Sequence, residues 1–241
     1  MVVLPVANSH ESYEVKPTKI IALGLNYNDH VEESKSILPQ DVSTEVPTEP
    51  ILFAKTPNCL TGPDQPIYLP RILSSYNFEN LRTDYEGELA VIIGWRCKDL
   101  SEDEAMEYVW GYTCTNDVSQ RNIQTGDRSG WFRGKSFDTF GPVGPVVVRK
   151  ENIPDPHNLK LTTRLNGKVV QESNTSFMIF NIPQTVSFVS RNFTLEPGDL
   201  ILTGTPSGVG PMNHGDTVEV EVEKIGVLRN PVIDPVKEAG A

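Results

Sequence analysis

The chain has 241 residues, 38% of them hydrophobic, enough to bury a core in one large β-rich domain or two small ones. Its 32 acidic against 21 basic side chains leave a formal net charge of -11, which opposes nucleic acid and anionic membrane surfaces. No apolar run approaches the ~20 residues of a membrane span, and the first 19 residues lack the basic start and apolar core of a signal peptide, so a cytoplasmic location is expected.

Lys19 to Leu25 (KIIALGL) reads as a strand, followed by turn and helix-start chemistry in Asn26-Tyr27-Asn28-Asp29. Asp29 with Glu32 three residues on fits a capping box, and the short helix it opens carries His30 and Glu33 on one face. A carboxylate bonded to one ring nitrogen would hold the imidazole and raise the basicity of the other. The same acids are also what any first helical turn favours through the dipole. Pro39 to Pro50 is polar and proline-punctuated, a surface loop that serves either as a lid beside this base or as a connection. Ile51 to Lys55 and Pro66 to Leu69 are short strands divided by the turn-rich Asn58 to Pro63.

The stretch Thr83-Asp84-Tyr85-Glu86-Gly87-Glu88 leads into the apolar run Leu89 to Ile93, a strand buried on both faces. Period two points Glu86 and Glu88 to one side at the end of that strand, where two like charges beside a core need a cation between them. Mg²⁺ or Mn²⁺ meets that need with oxygen ligands. The pattern fits equally well two exposed glutamates, or glutamates paired with Arg82 or Lys135. Gly87 between them suits the close approach of a ligand or another backbone.

Asp99 to Tyr108 has the chemistry of a helix start with Ser101 as its cap, and Val109 to Asn116 is a strand ending on Asp117, a candidate third carboxylate. Arg121 and Lys135 are cations suited to an anionic substrate, or ordinary salt-bridge partners. Phe140 to Arg149 and Leu159 to Gln171 continue as strands, the second turning at Asn166-Gly167. Asn181 caps a helix, and Asp199 to Thr203 is a buried strand opening into Gly204-Thr205-Pro206-Ser207-Gly208-Val209-Gly210. That turn lacks both phosphate-loop signatures, yet its N–H groups could grip a small carboxylate. Thr217 to Glu223 alternates as a strand with one wet face. Cys59, Cys97 and Cys114 are widely spaced packing residues, and His10, His157 and His214 have no ligand spacing.

Taken in order, GLNYNDHVEE, DYEGELAVIIG, GYTCTNDVSQRNIQ, FRGKSFD and DLILTGTPSGVG resemble the fumarylacetoacetate hydrolase superfamily over about Lys19 to Lys224, most of all its small acylpyruvases and oxaloacetate decarboxylases. The resemblance implies a mixed α+β, β-rich fold: a β-roll with a few short helices, in which residues 19–241 form one catalytic domain behind an N-terminal extension, 1–18. It implies a homodimer acting on a small 2-oxo acid. By the same resemblance Glu86, Glu88 and Asp117 bind Mg²⁺ or Mn²⁺, and His30, Glu33 and Lys135 are catalytic, the first two within a lid segment. Arg121, Gln124 and Thr205 would bind substrate.

Chemistry of that kind breaks a C–C bond next to C3 of the 2-oxo acid through a pyruvate enolate, by acylpyruvate hydrolysis or by oxaloacetate decarboxylation. Relatives of the same scaffold isomerise or hydrate 2-hydroxydienoic acids, a second reading. A metal-binding β protein without turnover is the third, and an oriented His30-Glu33 pair would be of no use to it.

Overall fold

The computed structural model describes residues 1–34, 45–126 and 131–239. Leu89 to Ile93 carries no polar side chain, so it must be covered on both sides. It lies in Gly87–Ile93, the middle strand of a seven-stranded sheet ordered Ile51–Lys55, Ile20–Gly24, Leu200–Leu202, Gly87–Ile93, Val109–Asn116, Gly141–Arg149 and Leu60–Thr61. Two of its pairings are parallel, Leu200–Leu202 with Ile20–Gly24 and Gly141–Arg149 with Leu60–Thr61; the rest are antiparallel.

A five-stranded sheet packs against this one, in the order Lys168–Asn174, Lys160–Leu165, Thr217–Val222, Gly226–Ile233 and Ile67–Tyr68. Thr217–Val222 buries Val218, Val220 and Val222 and leaves the alternate residues half-buried, as its alternating sequence requires. The fold is mixed α+β and strand-rich, its sheet curled into a half barrel with few short helices. Glycine is required where the sheets meet. A Cβ on Gly87 would lie 2.1 Å from Thr163 Oγ1 of the second sheet. Gly87→Ala is therefore expected to lower stability by about 1–3 kcal/mol through overpacking, measured by denaturant unfolding.

Local chemistry set several elements as expected. Asn166 and Gly167 both take positive φ (53° and 78°) at the turn between Lys160–Leu165 and Lys168–Asn174. Ser101 and Asn181 each close a capping box, with Glu104 and Gln184, on helices Glu102–Ala105 and Ile182–Asn192. The latter adds Ile182, Val186 and Val189 to the core. The segment before Lys19 pairs Val2–Pro5 with Ser12–Val15 and sends Val2, Leu4 and Val15 into the same core. Cys59, Cys97 and Cys114 are free and buried. No helix among the described residues is long and apolar enough to cross a membrane.

Three expectations are corrected. The first helix spans Asn28–Ser34, so Asp29 lies inside its first turn instead of capping it, and accepts bonds from its neighbour His30 N and from Ser207 Oγ. The turn-rich Asn58 to Pro63 contains a 3₁₀ turn, Pro57–Cys59, and a short strand, Leu60–Thr61. Glu86 sits between two strands, because Thr83–Tyr85 belongs to a separate three-stranded sheet while Gly87 begins the central strand. In the glycine-rich turn, the N–H groups of Gly204 and Gly208 donate to the protein's own Glu88 and Glu33. Of the loop expected over Pro39 to Pro50, residues 39–44 lie outside the described residues.

Candidate metal and acid–base site

Where the chain passes from one sheet to another at Glu86, its backbone N–H donates to Asn116 Oδ1 (2.8 Å) and its carbonyl accepts from Asp117 N (2.8 Å). These two bonds tie the end of Val109–Asn116 to the turn carrying Glu86. Glu88 follows on the central strand, paired with Thr115. Oxygen atoms of Glu86, Glu88 and Asp117 consequently lie within 4.8 Å of one another, and all three residues are buried.

Cations satisfy two of the three. Lys135 Nζ donates to Glu86 Oε2 (2.6 Å) and Asp117 Oδ2 (2.7 Å), while Lys55 Nζ donates to Asp117 Oδ1 (2.5 Å). Arg121 donates from Nη2 to Glu86 Oε1, from Nε to Asp84 Oδ2 (2.8 Å) and from Nη1 to Gln124 Oε1 (3.0 Å). The ion-pair reading of the sequence is thus met for Glu86 with Lys135, though not at an exposed surface, and Arg82 instead pairs with Asp84. Among the described residues, no cation is bonded to Glu88: its Oε2 accepts from Gly204 N (2.7 Å), and its buried Oε1 has no hydrogen-bond partner.

The two neighbouring glutamates are therefore driven apart. Burial pushes both carboxyls upward. For Glu86 the Lys135 and Arg121 charges more than offset it, leaving the group well below the ordinary carboxylate value. For Glu88, burial is reinforced by Asp117 and Glu86, and the group is raised well above that value. A buried, charge-poor oxygen beside two more carboxylates is an all-oxygen donor set for a hard divalent cation, and Mg²⁺ or Mn²⁺ fits it.

Helix Asn28–Ser34 brings His30 to the same pocket, with Nδ1 3.1 Å from Glu33 Oε2. Glu33 is in turn gripped by Gly208 N, 3.0 and 3.1 Å from its two oxygens. Gly208 holds φ at 95°, and a Cβ there would strike Val170 O, so the turn that orients Glu33 depends on glycine. Thr205 Oγ1 donates to Gly87 O (3.0 Å) and accepts from Gln171 Nε2 (2.8 Å). Lys135 owes its place to two short helices, Arg121–Gly126 and Trp131–Lys135, packed so closely that a Cβ on Gly134 would lie 2.8 Å from Gln124 N.

His30, Glu86, Glu88, Arg121, Gln124, Lys135 and Thr205 all border one pocket; Glu33 and Asp117 stand behind it, bonded to His30 and Lys135. The sequence did not single out Lys55, Asp84 or Gln171. Lys55 closes an apolar strand and Asp84 precedes Glu86 by two residues, a spacing that offered the only local signal for either. Gln171 Oε1 accepts from Gly87 N across the sheets.

The family profile of the fumarylacetoacetate (FAA) hydrolase C-terminal domain matches residues 19–233. Oxaloacetate tautomerase Fahd2a, mitochondrial, of Rattus norvegicus is 41% identical over 90% of this chain and 67% of its own. The crystal structure of 5-carboxymethyl-2-hydroxymuconate delta-isomerase from Mycobacterium smegmatis is 40% identical, with a TM-score of 0.78 over 94% of this chain and 86% of that one. Fumarylpyruvate hydrolase from Pseudomonas aeruginosa, solved with Mn²⁺ and pyruvate, is 27% identical with a TM-score of 0.83 over 97% and 96%. With nearly its whole length matched, the chain belongs to the fumarylacetoacetate hydrolase C-terminal domain family.

Proposed function

We propose that the protein is an Mg²⁺- or Mn²⁺-dependent enzyme that breaks a C–C bond in a small 2-oxo acid, by acylpyruvate hydrolysis, oxaloacetate decarboxylation or both. One observation carries this reading. The unpartnered Glu88 oxygen, among three clustered carboxylates, borders the same pocket as an imidazole held by a carboxylate. Glu86, Glu88 and Asp117 are the proposed ligands. When bound, the divalent ion would supply Lewis-acid polarisation of the 2-oxo group.

The chain's own residues do the rest. With Nδ1 bonded to Glu33, His30 is left with Nε2 to take a proton from water. The hydroxide adds to C4 of a 2,4-dioxo acid, the C3–C4 bond breaks, and its electron pair passes to the pyruvate enolate, which regains a proton at C3. For oxaloacetate, loss of CO₂ leaves the same enolate with no water needed. Lys135 supplies positive charge beside that enolate, and Arg121, Gln124 and Thr205 position the acid. A homodimer in the cytoplasm is the proposed setting.

The second reading, isomerisation or hydration of a 2-hydroxydienoic acid, is favoured by the 40% identity to the Mycobacterium smegmatis isomerase. There His30 would move a proton between carbons in isomerisation, or take one from the water that adds across a double bond in hydration. A product screen of the Mg²⁺- and Mn²⁺-loaded protein against acetylpyruvate, fumarylpyruvate, oxaloacetate and a 2-hydroxydienedioate separates these readings. Pyruvate release supports C–C cleavage, isomer formation the alternative, and no turnover the non-catalytic metal protein.

Lys135 also competes with the ion, since its ammonium already occupies two of the proposed ligands. Lys135→Met is therefore expected to bind Mn²⁺ at least as tightly as the parent, by calorimetry, and to turn over each substrate ~10²-fold more slowly. Near-normal rates would return the lysine to a purely structural ion pair.

A further inference from the structure

We propose that this pocket selects substrates by an apolar far end, read against a wall formed by Phe53 and Trp131, with Gly24 providing the seat for the indole. The inference rests on the reading above, which places the acid head at the carboxylate cluster.

The wall begins at that cluster and leads away from it. Lys135 Nζ stands over the Phe53 ring, 4.8 Å from its centroid. Phe53 meets Trp131 edge to face, with centroids 5.2 Å apart and planes at 71°. Trp131 lies so close to Gly24 that a Cβ there would be 2.8 Å from its Cζ3. Leu23 and Leu25 complete the apolar lining. Leu25 takes a left-handed backbone conformation (φ 54°) that leucine seldom adopts. Next to it, Asn26 is pinned by Nδ2 bonds to Phe180 O (3.1 Å) and Thr203 O (2.7 Å), so the leucine stays where it lines the pocket. The same two rings also border an outer groove with Ile51, Ala54 and Phe132.

Charge points the same way. Among the described residues bordering the pocket, Arg121 and Lys135 are the only Lys or Arg, and both are committed to carboxylates at the acid-head end. Among the described residues bordering the wall, none would give a second carboxylate a charged partner in return for its lost hydration. An alkyl or aryl tail would gain contact with two aromatic faces.

The test is equilibrium binding of unreactive 2-oxo acids to the Mn²⁺-loaded protein, by calorimetry. The series is 2-oxobutanoate, 2-oxopentanoate and 2-oxohexanoate, with 2-oxoglutarate as the dicarboxylate. Affinity is expected to rise on the order of 10-fold for each methylene that reaches the wall. 2-Oxoglutarate should bind at least about 10-fold more weakly than 2-oxohexanoate. Trp131→Ala should flatten the rise, and so should Gly24→Ala by unseating the indole. Should Trp131→Ala fail to fold, Phe53→Leu replaces it, with retained Mn²⁺ binding as the check that the site is intact.

Affinity independent of tail length in the parent protein would overturn the proposal. Equal or tighter binding of 2-oxoglutarate would overturn it too, as would a slope unchanged in the wall variants. Because these acids have no bond to cleave, the outcome is separate from the turnover screen: a protein that binds them in this order yet releases no product refutes the enzyme reading alone.

Discussion

Glu88→Gln is expected to abolish Mn²⁺ binding and turnover while leaving the metal-free protein folded and at least as stable as its parent. The glutamine carbonyl can still accept the Gly204 N–H, the only hydrogen bond Glu88 makes among the described residues, and none of the described cations loses a partner. A divalent ion contributes several kcal/mol of charge stabilisation, so at about 1.4 kcal/mol per tenfold its loss should cost on the order of 10³-fold in rate. Asp117→Asn is a poorer test. It shortchanges two buried lysines, Lys55 and Lys135, and should destabilise the fold by about 3–5 kcal/mol in addition to weakening the metal site.

The same substitution carries a pH signature. Burial, and then the charges of Asp117 and Glu86, raise the Glu88 carboxyl in the metal-free fold. Stability from this group is therefore complete below its unfolded value, about 4.5, and declines as pH rises toward the raised folded value. A divalent ion needs the ionised carboxylate, so its binding releases the proton. The rise in unfolding temperature given by excess Mn²⁺ should accordingly grow as pH increases above 4.5 in the parent protein. At 100 times the dissociation constant it should reach the equivalent of about 2.7 kcal/mol. In Glu88→Gln there should be no such rise at any pH, and a rise equal to the parent's would remove Glu88 from the ligand set.

Most local patterns were readable from the sequence, the capping box expected at Asp29 and Glu32 being the exception, since Asp29 lies inside the helix it was to cap. Asn166-Gly167 demands its turn, Ser101 and Asn181 cap their helices, and period two along Thr217 to Glu223 sets its one buried face. Glu86 and Glu88 do converge, but not on one continuous strand, because the side chain of Asn116 takes the Glu86 N–H and the chain changes sheet there. What could not be read depends on partners far along the chain. Lys55 meets Asp117, Gly87 meets Thr163, and Glu33 meets Gly208 only once the sheets have closed. The glycine-rich turn shows the same limit. Its free N–H groups were legible as carboxylate binders, and two of them, on Gly204 and Gly208, bind carboxylates of the protein itself, Glu88 and Glu33.

The second large effect separates two reactions in one pocket. Acylpyruvate hydrolysis needs a base to activate water, so His30→Ala should cost on the order of 10²- to 10⁴-fold in that reaction. Oxaloacetate decarboxylation needs only the enolate charge to be stabilised, and should suffer much less. Glu33→Ala should move both reactions in the same directions as His30→Ala. It takes away the carboxylate on Nδ1 and with it the acceptor for Gly208 N, loosening the glycine-rich turn beside Thr205. Glu33→Gln is the finer probe. Its amide oxygen can keep either the Gly208 N–H or a neutral bond to the imidazole, but no charge remains to stabilise the imidazolium formed when water gives up its proton. Hydrolysis should then fall while binding of a 2-oxo acid holds. Both substrates must be measured on one preparation at saturating Mn²⁺, so that affinity for the ion does not enter the ratio. Equal losses for hydrolysis and decarboxylation in His30→Ala would show that the imidazole binds or positions the acid instead of activating water.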